Sequence, residues 1–168
     1  MALQLFKIAE VTVASPQANI EFTSIPSGYT DLLLKLSGRT DRVASNAEFF
    51  FRFNGSTADF TAKKLFGSGG GGAVGSNSGT GGIATAANNT ASTFGNTEIY
   101  IPNYTSSNFK SFSVDSVQES NDGAGVNIYA YLLGMLWSNT AAITSIAVYP
   151  EDSKNWVTQS TATLYGIL

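Results

Sequence analysis

Asp31-Leu32-Leu33-Leu34-Lys35-Leu36-Ser37-Gly38-Arg39 and Ala47-Glu48-Phe49-Phe50-Phe51-Arg52-Phe53-Asn54-Gly55 are the two stretches on which the fold turns. In the first, Leu32, Leu34 and Leu36 share one parity, while Lys35, Ser37 and Arg39 share the other. Successive side chains of a strand point to opposite faces, so this alternation predicts a half-buried β-strand. The second stretch repeats the pattern, with Phe49, Phe51 and Phe53 inward and Glu48, Arg52 and Asn54 outward. Asn54-Gly55 tolerates positive φ and turns the chain there. The short polar connection from Thr40 to Asn46 suits either a hairpin or a crossing between two sheets.

Outward from this centre the strand signals continue. Phe6 and Ile8 are even, whereas Val11 and Val13 are odd, so the apolar face switches near Ala9-Glu10. Either a bulge or a strand that passes from one sheet to another produces that switch. Ile20-Glu21-Phe22-Thr23 is a short strand closed by the turn Ile25-Pro26-Ser27-Gly28. Phe60 to Phe66, Thr97 to Ile101, Phe109 to Val117, Ile143 to Tyr149 and Thr161 to Leu168 follow. Val126 to Trp137 is apolar on both parities, which predicts a central strand covered on both faces. No stretch keeps a helical period. About ten short strands, with a last strand that pairs beside an early one, predict an all-β antiparallel β-sandwich of jelly-roll or related type. It forms one domain over residues 1–168.

Composition narrows the chemistry. The chain has 168 residues, no histidine, no cysteine, 12% charged residues and a net charge of −3. Without cysteine there are no disulfides and no zinc–thiolate sites, and without histidine the commonest general base is missing. The basic residues are scattered, with Arg39/Arg42 and Lys63-Lys64 the nearest to clusters, which argues against nucleic acid as a partner. No apolar run reaches the length of a membrane span. The opening Met1 to Lys7 lacks a secretory signal, so synthesis in the cytoplasm is expected.

Gly67 to Gly82 is the one low-complexity tract. It contains no Gly-Lys-Ser/Thr and precedes no helix pattern, so it does not read as a phosphate loop. The segment from Gly67 to Thr93, about 27 residues without strand patterning, reads as a long flexible loop, and an arm that orders against a neighbouring subunit is the preferred version. Asp115, Glu119, Asp122 and the pair Glu151-Asp152 read as solvated turn residues. Nothing sets two of them the ~5–10 Å apart that a glycosidase needs. Asn121-Asp122-Gly123 lacks the spacing of a calcium loop. The expectation is therefore no catalytic residue, no metal ligand and no cofactor. Trp137, Trp156, Tyr100, Tyr104 and Tyr149 are the candidates for stacking platforms. Trp137 reads as core. Trp156, in a polar loop, is the best single contact candidate, with folding back over the sandwich end equally open.

Ile20 to Arg39, Phe51-Arg52-Phe53-Asn54-Gly55, and the ending Ile143 to Pro150 with Ser160 to Ile167 together resemble small virion proteins of tailed bacteriophages, cyanophages among them. The resemblance implies a non-enzymatic structural protein of the particle. The role it implies first is a capsid cement or decoration protein, seated on the major capsid protein and often trimeric, while members of the group also serve as tail or fibre components. On that basis the candidate partner contacts are Leu3, Leu5 and Phe6 at the N-terminus, Val74 and Ile83 in the Gly67–Thr93 segment, and Trp156. Its expected partners are the major capsid protein and further copies of itself, on the virion surface. The alternative is a tail- or fibre-associated receptor- or carbohydrate-binding β-sandwich. That alternative predicts two or more exposed aromatics with Asn, Asp or Gln beside them on one face.

Overall fold

A computed structural model describes residues 4–69, 71–78, 81–120 and 128–168. Twelve strands form two antiparallel sheets: β1 (Leu5–Thr12), β2 (Ile20–Phe22), β3 (Asp31–Gly38), β4 (Ala47–Phe53), β5 (Phe60–Ser68), β6 (Gly71–Ser78), β7 (Gly82–Ala84), β8 (Gly95–Ile101), β9 (Lys110–Gln118), β10 (Tyr129–Trp137), β11 (Ile146–Pro150) and β12 (Thr161–Ile167). The wide sheet runs β1-β12-β3-β8-β9-β10-β5-β6, and the narrow one runs β2-β11-β4-β7.

The pairings are nested. β1 pairs with β12, β2 with β11, β3 with β8 and β4 with β7. The first four strands therefore match the four returning strands, as in one long hairpin rolled over on itself. This is the jelly roll, with four strands in each sheet. Two hairpins are inserted into that plan, β5–β6 after β4 and β9–β10 after β8. β10 pairs with β5, so the insertions join and extend the wide sheet. β3 and β4 lie in different sheets, which makes the Thr40–Asn46 connection a crossing.

Local sequence explains local form. The register of β1 against β12 shifts between Lys7 and Ala9, so the change of apolar face is a bulge within one strand. At the tip after β4, Asn54 (φ 52°) and Gly55 (φ 76°) both take the left-handed region. Phe53 and Ser56 exchange backbone hydrogen bonds of 3.2 and 2.9 Å across this turn. The Asn54 side-chain oxygen also accepts from the backbone N–H groups of Thr144 (2.8 Å) and Ser145 (3.1 Å), which fixes where β11 begins.

The core is an aromatic layer between the sheets. Phe53 is fully buried, with its ring 5.2 Å from Phe60, 5.3 Å from Phe112 and 5.4 Å from Trp137. Phe51 meets Phe112 edge-on at 5.8 Å. Such ring pairs each add about 0.5–1.5 kcal/mol beyond the area they bury.

Two expectations are corrected. The Gly67–Thr93 segment is not one long loop: it holds the end of β5, then β6 and β7. Among the described residues β6 borders only β5, to which it pairs through its backbone, and its glycine- and serine-rich sequence carries no alternation to read. Gly81 and Gly82 bring the chain against the rings of Phe51 and Phe49, where a Cβ would collide. The second correction concerns Val126 to Trp137, of which Val126 and Asn127 lie outside the described residues. The strand that forms, β10, is covered on one face only, and Leu132 on the other is 53% exposed.

A Cβ on Gly38 would lie 2.6 Å from Cζ3 of Trp156, whereas one on Gly28 would meet no atom within 4 Å. Gly38→Ala is therefore expected to lower unfolding free energy by about 1–3 kcal/mol through overpacking. Gly28→Ala should stay within about 0.5 kcal/mol of the parent. Urea unfolding of both variants checks the difference.

Candidate functional site

The outer face of the narrow sheet carries a cleft of about 410 Å³. The alternation that sends Phe49, Phe51 and Phe53 inward leaves Phe50 and Arg52 on the outer side of β4. Register then sets Tyr149 of β11 directly opposite Phe50. Their ring centroids are 5.7 Å apart with planes inclined by 30°. The Arg52 guanidinium lies 4.3 Å from the centroid of the Tyr149 ring, on its face. Asn19, just before β2, and the loop Glu151–Lys154 after β11 complete the walls.

That loop is held tightly. Asp152 (φ 55°) and Ser153 (φ 54°) are consecutive non-glycine residues in the left-handed region, at a cost of about 1–2 kcal/mol each. Arg42 offsets the strain: its Nε lies 2.9 Å from Asp152 Oδ2 and 3.3 Å from Glu151 Oε1. Arg42 Nη1 donates to the Asn46 carbonyl at 2.8 Å, and the Glu48 N–H donates to Glu151 Oε1 at 2.6 Å. Both rim carboxylates are thus engaged with a cation. Arg52 and Lys154 pair with no carboxylate among the described residues. The arrangement offers an aromatic wall, two available cations and an amide, which is equipment for holding a ligand. A shallower trough of about 470 Å³ opens over Gly134 on the wide sheet, but no aromatic ring lines it.

The residues singled out in the sequence scatter. Leu3 lies outside the described residues, and Val74 lies in β6, opposite Phe66. Leu5 and Phe6 are on edge strand β1, 45% and 38% exposed. Ile83 and Trp156 are fully buried, so neither side chain is accessible to a partner. Trp156 has folded back over the sandwich end: Nε1 donates to the Val148 carbonyl at 3.0 Å, and the ring lies 5.8 Å from Phe49. Trp137 and Tyr104 are core, and the Tyr104 hydroxyl donates to the Pro26 carbonyl. Tyr100 is exposed and donates to Asp31 Oδ2 at 2.6 Å. Tyr149 alone of these aromatics joins the cleft. Asp122 lies outside the described residues, and Asp115 is exposed on the outer face of β9. Phe50 and Arg52 are not among the sequence candidates; the signal for them is the outward phenylalanine beside an outward arginine in Phe49-Phe50-Phe51-Arg52-Phe53.

Three cations elsewhere tie the chain together, Lys110 and Arg39 by gathering loops and Lys64 by linking strands of the two sheets. Lys110 is buried, and its Nζ donates to the carbonyls of Ser106 (2.7 Å), Asn108 (2.7 Å), Ala141 (2.8 Å) and Asn139 (3.4 Å). Burial pushes its pKa below the usual lysine value. The Arg39 guanidinium donates to the carbonyls of Ala87, Asn89, Thr90 and Thr93 at 2.9–3.1 Å, and burial lowers its pKa too. Lys64 Nζ lies 3.1 Å from Glu48 Oε1, which also accepts from the Tyr131 hydroxyl at 3.1 Å. Burial, reinforced by the Glu48 charge, raises the Tyr131 phenol far above its ordinary value. Among the described residues, no group of three or more acidic side chains could hold a metal ion. Comparison with family models, curated proteins and solved structures returned no match.

Removing the Lys110 ammonium strands its carbonyls, so Lys110→Met is expected to cost about 2–4 kcal/mol in urea unfolding. Tyr131 gives a pH dependence of definite sign. Its phenol keeps its proton in the fold but ionises near pH 10 in the unfolded chain. The stability this group contributes is therefore intact below about pH 10 and declines as the pH rises above it. Thermal melts between pH 8 and 11 should show a fall that is shallower in Tyr131→Phe.

Proposed function

We propose that this chain is a non-enzymatic structural protein of a bacteriophage particle, a capsid decoration protein that seats on the major capsid protein and associates with copies of itself, as a trimer. It is made in the host cytoplasm and ends on the virion surface. The observation that carries this reading is the wide sheet. On both sides it ends in a strand with no outer neighbour among the described residues, β1 and β6, and β1 displays Leu5 and Phe6. Open edges and exposed apolar side chains are what strand addition and subunit contact use. On the outer face of the same sheet, Leu132 and Leu65 sit opposite one another across β10 and β5, about half exposed. Jelly rolls serve as viral capsid domains and as lectins, which supports the class without choosing within it. The resemblance of Ile20 to Arg39 and of the C-terminal segment to phage virion proteins favours the particle.

A second reading has its own observation. The cleft of Phe50, Tyr149 and Arg52, with Asn19 and Asp152 beside it, is the constellation expected of a receptor- or carbohydrate-binding module on a tail or fibre.

Co-sedimentation with shells assembled from the major capsid protein encoded in the same genome tests the first reading. The chain should pellet with the shells and run as an oligomer in analytical ultracentrifugation. Leu5→Lys should shift it toward monomer with its melting temperature nearly unchanged, because Leu5 is exposed, whereas Phe6 also packs on the Tyr29 ring 5.9 Å away. A lone monomer that stays in the supernatant would overturn the assignment.

A further inference from the structure

We propose that the outer-face cleft binds an acidic saccharide, a pyranose bearing a carboxylate. Its apolar ring face would lie against Phe50 and the Tyr149 edge, with its carboxylate on Arg52 and Lys154. The proposal rests on the carbohydrate-binding reading and adds the charge of the ligand.

Charge makes the first argument. The chain carries a net charge of −3, yet the cleft keeps two cations that no carboxylate neutralises among the described residues. The acids that could have paired with them, Glu151 and Asp152, are both turned to Arg42 instead. Arg52 is already placed, stacked 4.3 Å from the Tyr149 centroid. A guanidinium fixed on an aromatic face loses little freedom when it takes a carboxylate through two parallel hydrogen bonds.

The magnitude of the ligand charge follows from the rim. Glu151 and Asp152 remain anionic neighbours, so a doubly charged phosphate meets more repulsion there than a single carboxylate does. The remaining polar groups suit hydroxyls. The Asn19 amide and the Tyr149 hydroxyl form no side-chain hydrogen bond within the described chain, and the rim carboxylates have acceptor capacity left. The volume of about 410 Å³ lies within the about 300–1,000 Å³ typical of small-ligand sites. The contacts of Arg42 with Glu151 and Asp152, and of the Glu48 N–H with Glu151, hold the left-handed Asp152 and Ser153 and so keep the rim in one shape before any ligand arrives.

Calorimetric titration of the full chain with trigalacturonate and 3′-sialyllactose, against maltotriose and lactose, tests this. An acidic sugar should bind about tenfold or more tighter than its neutral counterpart at low salt, with the gap closing as salt rises. Which acidic probe binds better separates a uronate polymer from a sialylated glycan. Arg52→Gln and Lys154→Gln should abolish the acid preference and leave weak neutral binding, whereas Arg52→Lys should retain part of the preference. Phe50→Ala should weaken both classes. Equal affinity for acidic and neutral sugars would overturn the acidic assignment while leaving the carbohydrate reading standing. No binding of any saccharide by a chain with a normal melting curve would overturn both.

Discussion

The nested antiparallel pairing of β1, β2, β3 and β4 with β12, β11, β8 and β7 is the constraint from which the other features follow. It sends alternate pairs to opposite sheets, so each sheet must bury one face against the other. Period-two alternation in β3 and β4 satisfies that demand with leucines in one sheet and phenylalanines in the other. The same pairing brings β4 beside β11, far apart in the chain, and thereby sets Phe50 next to Tyr149 on the outside. The aromatic core and the aromatic cleft are the two parities of one strand.

Charge is scarce in this protein, and much of it is used internally. Arg39, Arg42 and Lys110 each gather carbonyls or carboxylates from loops between strands. These loops have no disulfide and no helix beyond the single 3₁₀ turn at Glu151–Ser153 to shape them, and a long cation with several donors can satisfy backbone groups from two directions at once. Lys110 gathers four carbonyls from two loops around one ammonium, as a bound cation could, with the difference that it is covalently attached. What remains on the surface is mostly small and polar, and Arg52 and Lys154 stand out against it.

Much of the fold was legible because it depends on local chemistry. The alternation of Leu32, Leu34 and Leu36, the turn at Asn54-Gly55, the switch of apolar face near Ala9 and the last strand beside an early one are all readable, although the switch alone does not choose between a bulge and a change of sheet. The glycine tract was not, because β6 joins the sheet through its backbone and a Gly-Ser strand leaves no side-chain pattern. Ile83 and Trp156 misled for a related reason: polar or glycine-rich neighbours say nothing of a fold-back that is settled by the space over Gly38 and between the sheets. The cleft was the least legible feature. Tyr149 was noticed singly, but its partnership with Phe50 and Arg52 exists only once β4 and β11 are in register.

The placement of β12 has a consequence for how the chain reaches this state. β12 lies between β1 and β3, hydrogen-bonded to both, although it comes last of the strands. During synthesis β1 and β3 emerge early and cannot pair with each other without blocking the slot β12 must enter. The slot beside β3 therefore stays open until residues 161–167 are made, and until then β3 keeps an unpaired edge while β1 has no strand to join. A surface poor in charge offers little repulsion during that interval. Late closure by a strand far away in the chain is a slow, non-local step that the topology itself imposes.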